Sequence, residues 1–551
     1  MRALHLLSVA LLTELAAAQA PSALLREGDA LPGSLIVTGI NNTAVNQTTG
    51  YATTVSATDM ASTISLVWGN LGGGSGSVLR QESTIGTSEQ TSFESFFGIS
   101  GTSVCYSPSV NDTVSGVTAL DGIWIDDDII MIEEMPASLP GEFWTFGSRG
   151  GITQDGVAYW VGGTSPAQGG STSTRGLFVG ITATPVLFTG QTVPGLPLPL
   201  GSAAVDFDFR VSSLGGHFIS PVALDTSSTE DGAIVLDGSG LMIGGGLVRE
   251  AQPLPASAGG LAGENWDNFD FVGVTESGRY FITGDSDADT ALDEFILVDG
   301  MIMVREGDTL DGFVLEGSIE GAFMNEAGDM AFVWDVDDAG TNKEALYLND
   351  DLLLLEGQAV DWDGDGTIDP GTALTDFTGI SSLTLAADGT VYFTADVDVN
   401  GTVLEGYFCL STGIGANYCM ATPNSTGMAA SISASGSTLA SANDVTLLAT
   451  TLPSNQFAYF VNSQTQGFIP NVGGSQGNLC ILGDIGRYNT QVFSTGASGT
   501  GSLALDLPNT PTPFGATAVM AGETWNFQCW FRDANPTPTS NLTNGLSLLF
   551  N

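Results

Sequence analysis

Lysine is almost missing from this chain. Among 551 residues Lys343 stands alone, and 12 basic residues face 61 acidic ones, for a formal charge of −49. A surface of that sign repels nucleic acid and anionic lipid and attracts cations, which argues against a polyanion-binding role for the chain as a whole. Histidine is as scarce. His5 lies in the opening segment, and His217 is the other, beside a turn glycine at a strand start, so no Ser/His/Asp set and no histidine-built zinc site can be assembled. Cysteine is limited to five: Cys105 and Cys409 in strands of the first part, and Cys419, Cys480 and Cys529 further on. Cys419 with Cys480 is the expected pair, and an odd count leaves at least one thiol free or paired between chains. Long apolar runs are missing beyond the opening segment, so no transmembrane segment is expected. That segment, MRALHLLSVALLTELAAAQA, has a basic start, an apolar run and small residues at Ala18 and Ala20, the make-up of a signal peptide cut after Ala20; the protein is expected to be secreted.

What is abundant is a repeated pattern. From Trp266 to Asp308 the chain reads WDNFDFVGVTESG, RYFITGDSDAD, LDEFILVDG and MIMVREGD, four short β-rich runs punctuated by Gly278 and Gly300. This is a four-stranded meander, and it recurs about every 50 to 60 residues. A glycine marks the turn between the first two strands at Gly50, Gly101, Gly156, Gly216, Gly278, Gly328 and Gly389, where positive φ is cheap only for glycine. An outer strand follows the same count: LLREGD at Leu24, VLRQE at Val78, IMIEE at Ile130, VLFTGQ at Val186, LVRE at Leu247, MVREGD at Met303 and LLLEGQ at Leu353. The first outer strand precedes any complete unit and the last unit stops one strand short, so Leu24 to Asp29 is expected to complete the last meander. The fold class expected is all-β: a seven-bladed β-propeller over residues 21–411, its N-terminal strand hiding the edge that an open β-solenoid or tandem sandwiches would expose.

Acids crowd the long loops between second and third strands: Asp225 to Asp231; Asp285, Asp287, Asp289 and Asp293; Asp335, Asp337 and Asp338; Asp396 and Asp398. Antiparallel order puts these loops on the same face as the connections between units. One such connection, VDWDGDGTIDPG, places Asp361, Asp363, Asp365, Gly366, the Thr367 carbonyl and Asp369 at positions one, three, five, six, seven and nine of a calcium loop. A hard cation wants six to eight oxygens, which alternate carboxylates round a glycine turn supply. Thr372 at position twelve and the lack of a flanking helix pattern set it apart from an EF-hand, and it resembles the Asp-rich loops of dockerins, thrombospondin-type repeats and integrin-like propeller blades. Structural Ca2+ is expected there. Asp285, Asp287, Asp289 and Asp293 have similar spacing without the glycine and are a weaker candidate. Carboxylate pairs for glycoside hydrolysis are conceivable at Asp267 with Asp270, or at Glu142 near Trp144, though acids this numerous pair by coincidence. Trp144, Trp160, Trp266, Trp334 and the loop residue Trp362 are either packing between sheets or stacking platforms for sugar rings.

From about Ser411 the repeat stops, and Ser, Thr, Asn and Gly prevail between short strand-like runs, which read as a β-sandwich over 412–551. In TWNFQCWF, Trp525, Phe527 and Cys529 alternate with Asn526, Gln528 and Trp530, so one face is core. Tyr418-Cys419, NSTG at Asn424, SQGNLC at Ser475, IGRY at Ile485 and FQCWFRDANPTPTSN at Phe527 together resemble an uncharacterised C-terminal module of large secreted proteins from planctomycete-type marine bacteria, and the first part resembles the REGD-bearing tandem-repeat propellers of such proteins. The resemblance implies export and an extracellular or cell-surface setting, with no activity to carry over. Arg487, Arg532 and Asp533 are either a recognition site or an ion pair beside buried aromatics. Two functions are expected to compete: a non-catalytic extracellular binding or structural protein whose acidic, calcium-bearing face contacts glycan or protein, and a secreted polysaccharide-degrading enzyme using channel carboxylates.

Overall fold

The computed structural model describes residues 21–550 except 47–49, 60–61, 72–75, 202–208, 365–367, 378–382, 388, 411–413, 420, 428, 437–439, 441–442, 444, 497–498 and 535–537. The expected signal peptide therefore lies outside the described residues. No α-helix occurs among them, and the protein is all-β. Two compact units divide at Leu410 and Ser411, one comprising Ala20–Ala387 with Val391–Leu410, the other including Ser411–Asn551.

In the first unit antiparallel sheets follow one another along the chain. A typical one is Val272–Val274, Tyr280–Gly284, Phe295–Val298 and Met301–Arg305, each strand paired with the next. Apolar faces of consecutive sheets share their cores: Leu346 and Leu354 pack with Leu374 and Phe408, and Val67 packs with Val104 and Tyr106. The succession returns to its start. Ser22–Arg26 pairs antiparallel with Thr402–Leu410, setting Leu25 opposite Tyr407 and Arg26 opposite Gly406. Leu25 and Tyr407 are then buried with Leu35, Val37, Val55 and Leu66 of the first complete sheet.

Two turns are rebuilt from sheet to sheet with the same chemistry. Between first and second strands, the side chains of Thr153, Thr275 and Asn325 each accept the amide four residues on, and that of Ser212 the amide five residues on, at 2.9 to 3.1 Å. The intervening glycines, Gly156, Gly215, Gly278 and Gly328, hold φ between +79° and +87°. In the fourth repeat the left-handed residue is thus Gly215, one position before the expected Gly216, because Ser212 sets the register. These turns also bond to each other across sheets. Gln154 donates its amide to the Ser213 carbonyl, and Glu326 accepts the amides of Ser213 at 3.1 Å and Glu276 at 2.7 Å.

The second recurrent turn is the one written REGD. The amide of its fourth residue bonds the carbonyl of its first in Arg26–Asp29, Phe188–Gln191, Arg305–Asp308 and Leu355–Gln358, and the fourth side chain accepts the first residue's amide at 2.9 to 3.1 Å. Gly28, Gly190, Gly307 and Gly357 take the positive φ that this closure needs. The amide of the second residue, Glu27, Glu82, Glu133, Thr189, Glu250, Glu306 or Glu356, bonds back to its own sheet's third strand at 2.8 to 3.3 Å in every repeat. The outer strand expected at Leu247 departs from the pattern. Ser239–Gly240 pairs with Leu236, a small hairpin of Met242–Ile243 and Gly246–Leu247 interrupts, and Arg249 resumes pairing opposite Ala233.

In the second unit, a seven-stranded sheet centred on Thr524–Asp533 and Phe457–Ser463 shares one core with the sheet of Ser431–Gly436, Val445–Thr450 and Gly501–Ala504. Trp525, Phe527 and Cys529 are buried in it as the alternation predicts. The opposite face is not solvent: Asn526 and Gln528 are buried too, and Gln528 accepts the Cys480 amide at 2.7 Å and donates to the carbonyls of Asn478 and Thr543. A disulfide joins Cys419 to Cys480, and Cys105, Cys409 and Cys529 are not disulfide-bonded.

Candidate cation loop and carboxylate clusters

The connection after the REGD-like turn Leu355–Gln358 is held by its own polar groups. Thr372 Oγ1 donates to the Asp369 carbonyl at 2.8 Å and accepts the Val360 amide at 3.1 Å, closing the base of the loop. Asp369 turns inward and accepts the amides of Trp362 at 2.8 Å and Asp363 at 3.0 Å. Asp361 is fully buried, accepts the Gly364 amide at 2.9 Å and receives the Ser22 hydroxyl. Carboxylate oxygens of Asp361, Asp363 and Asp369 all lie within 4.8 Å of one another. Asp365 and the Thr367 carbonyl lie outside the described residues. The backbone of Asp361 also bonds Pro21 and Ala23, and Arg26 Nη1 donates to the Trp362 carbonyl at 3.0 Å, so the loop and the N-terminal strand are one structural feature.

The weaker candidate is not gathered as its spacing suggested. Asp287 is taken by Asn265, which donates its amide and Nδ2 at 2.7 Å each, and the Asp289 side chain accepts the Ala291 amide. Asp285 instead meets Asp270 and Glu294, their oxygens within 4.8 Å. Burial first, then the Asp285 and Asp270 charges, push the Glu294 carboxyl up to about 9, and its Oε2 has no hydrogen-bond partner among the described residues. Two further glutamates follow the same logic: burial and then Asp293 raise Glu306 to about 7, and burial and then Asp376 raise Glu344 to about 8 although the Phe377 amide donates to it at 2.6 Å. Sequence reasoning missed Glu294, which stands just ahead of the strand Phe295–Val298. Its one signal was its place beside the REGD turn, where the Glu306 amide bonds its carbonyl at 2.9 Å.

Other candidates fall elsewhere. Asp267 is exposed, and Glu142 receives the Thr164 hydroxyl beside a buried Trp144. Trp160, Trp266 and Trp334 are buried as packing between sheets, and Trp362 is half-buried and packs on Phe408 with ring centroids 6.0 Å apart. Several loop acids cap their own turns: Asp337 accepts the Gly340 amide, Asp398 accepts that of Gly401, and Asp338 pairs with Lys343 at 2.7 Å. His217 Nδ1 sits 2.7 Å from Asp237 on a half-exposed turn.

Fold and site define an all-β protein of repeated antiparallel sheets whose turns gather carboxylates. No family model matches the chain, and no curated protein matches it. Among solved structures, prolyl oligopeptidase B from Galerina marginata is similar at 10% identity and a TM-score of 0.28 over 67% of this chain; the match spans 48%, about half, of that enzyme. The exo-beta-1,3-galactanase from Phanerochaete chrysosporium is similar at 10% identity and 0.22, over 71% of this chain and 93% of that one. A tetra-tandem repeat from the extending region of a large adhesion protein matches at 11% identity and 0.13, over 93% and 98%. Likeness at these scores decides nothing about function.

Proposed function

We propose that the protein is a secreted, non-catalytic binding or structural protein of the extracellular space or cell surface. Residues 21–411 form a seven-bladed β-propeller closed by the N-terminal strand, residues 412–551 form a β-sandwich module, and the acidic propeller face contacts glycan or protein. Ca2+ is held by Asp361, Asp363, Asp365, the Thr367 carbonyl and Asp369, in a structural role. The observation that carries this reading is the convergence of Asp361, Asp363 and Asp369 at the loop that anchors the closing strand. A divalent cation there would offset two of the carboxylate charges and fasten the first strand to the last sheet. Supporting it are the return of the sheet succession to its start and the bonding of first turns across sheets. The test is calorimetric unfolding and glycan-array retention, each with Ca2+ and with chelator. The reading expects a higher melting temperature and retention only with Ca2+; unchanged melting would remove the cation, and released oligosaccharide would remove the non-catalytic role.

One observation favours an enzyme instead. Glu294 keeps its proton near neutrality beside the Asp270 and Asp285 carboxylates, the pairing of acid and base that glycoside hydrolysis uses. Under that reading Glu294→Gln abolishes release of reducing ends from a polysaccharide panel, and absence of any release by the unaltered protein discards it.

A further inference from the structure

The charge of this chain is unevenly shared. Residues 411–551 hold two arginines against Asp444, Asp484, Asp506, Glu523 and Asp533, a balance of −3 within the −49 of the whole. Neither arginine is spent on an ion pair among the described residues. Asp533 is buried and accepts the Ser425 amide, whereas Arg532 lies over the Trp530 ring at 5.4 Å. Arg487 is exposed, and its guanidinium has no hydrogen bond or salt bridge among the described residues.

Arg487 stands at the edge of a cavity of about 490 Å³, inside the range of small-ligand sites. The IGRY motif builds it. Gly486 pairs with Asn462, and a Cβ there would lie 1.9 Å from the Pro511 carbonyl, so only glycine lets the Thr510–Thr512 strand close in as a wall. Tyr488 is buried and its hydroxyl meets Asn462 Nδ2 at 3.2 Å, which fixes the strand from below. Between these two anchors Arg487 is left pointing at no protein acceptor. Around it the lining offers the exposed side chains of Asn489, Gln491 and Asn509, and Asp506 already accepts from Asn509 at 2.9 Å. Phe514, between two lining residues, is 85% exposed.

The geometry points to a binding site for a carboxylate-bearing saccharide unit. A guanidinium without a partner presents a planar fork that matches a carboxylate bidentately, which a lysine point charge does not. Amide side chains give and accept the bonds that sugar hydroxyls need, and an aromatic ring left in water offers a face to the sugar ring. The near-neutral balance of this unit does not repel an anionic sugar as the rest of the chain does, and beyond a Debye length of about 8 Å at physiological salt the remaining charge is screened. The site is independent of the cation loop proposed above.

Isothermal titration of the full chain with an oligogalacturonate, a neutral galacto-oligosaccharide of the same length and a short peptide with a free C-terminal carboxylate tests this. The oligogalacturonate is expected to bind, and the other two are not. Arg487→Ala is expected to weaken it about tenfold or more, the loss of a charge-assisted pair, and R487K to restore little of it. Since Arg487 is exposed, the variant should melt with the parent, and R532A should bind as the parent does. Equal binding of the neutral sugar or the peptide, no binding of the uronate, or an unaffected R487A overturns the proposal. Chelator leaves this binding in place, so a failure of the cation loop is told apart from a failure of the groove.

Discussion

Replacing Leu25 with alanine tests the return of the chain on itself more directly than any change in a repeat interior. Leu25 is 3% exposed, and its neighbours Leu35, Val37, Tyr51 and Val55 belong to strands that follow it, while Tyr407 lies 382 positions downstream. Truncating a buried leucine costs its transfer free energy and leaves a cavity, in total about 2–5 kcal/mol. Adjacent backbone pairing of Ser22–Arg26 with Gly406–Cys409 and rigid aromatic walls oppose collapse of that space, which favours the upper half of the range. Val403→Ala is the control, on the partner strand but 55% exposed, and should stay within about 0.5 kcal/mol. Urea unfolding followed by tryptophan fluorescence reads both, since seven of nine tryptophans lie before residue 411. A cost below about 1 kcal/mol for Leu25→Ala, or an equal cost for Val403→Ala, would mean that the N-terminal strand rests on the last sheet without closing anything.

Stability should fall as pH rises from about 4.5 through 7 to 9. Glu306, Glu344 and Glu294 keep their protons in the folded protein up to about 7, 8 and 9, whereas the unfolded chain releases them near 4.5, so unfolding sheds protons and is favoured by higher pH. Melting scans across that window should show the decline, and Glu294→Gln should flatten it; a rise towards pH 9 would refute the assignment. Glu326→Ala should cost about 1–3 kcal/mol by leaving the Ser213 and Glu276 amides without their acceptor, and hydrogen exchange at those two amides should quicken together. Reducing Cys419–Cys480, which closes a separation of 61 residues, should lower stability of the second unit by about 4 kcal/mol on the loop-entropy account, visible as an earlier transition in reductant.

The repeat was legible in sequence because its two turns demand positive φ at fixed places, and glycine advertises that demand. Register was less legible: Gly215 and not Gly216 is left-handed, since the position is set by the Ser212 hydroxyl, which a glycine count ignores. The split outer strand near Leu247 escaped for a similar reason, because glycines at 244 to 246 fit an extended run or a hairpin equally well. In the candidate loop, linear spacing found Asp361, Asp363 and Asp369. It misled at Asp285 to Asp293, where the partners of Asp285 are Asp270 and Glu294, each just ahead of another strand, and Asp287 turns away to Asn265. Alternation in Thr524–Asp533 separated apolar from polar residues correctly but gave no sign that Gln528 would be covered, since a side-chain amide meets buried backbone as well as it meets water.

These particulars change what the charge of the chain means. Carboxylates recur because the repeat uses them as acceptors for backbone amides that sheet pairing leaves over: Asp29 and Asp308 within the REGD turn, Asp126, Asp237 and Asp299 toward the amides of Val104, Phe218 and Tyr280, and Glu405 across to Ile40 of another sheet. One carboxylate per amide is a structural device, repeated as often as the sheet is. Acidity alone therefore says little about cations. What does stand out is the gathering of carboxylates in threes: at Asp270, Asp285 and Glu294 the third carboxyl retains its proton, and at Asp361, Asp363 and Asp369 three acids converge on two short turns. The first group offsets its excess charge by holding a proton, while the second sits where the chain's first strand meets its last sheet and a cation would offset it. Substituting Asp363→Asn, an exposed member of the loop, should separate these cases. It should abolish Ca2+-dependent stabilisation while leaving the chelator-treated protein's melting unchanged, and a variant that keeps the full Ca2+ increment would show the loop to be an amide-capped turn like the others.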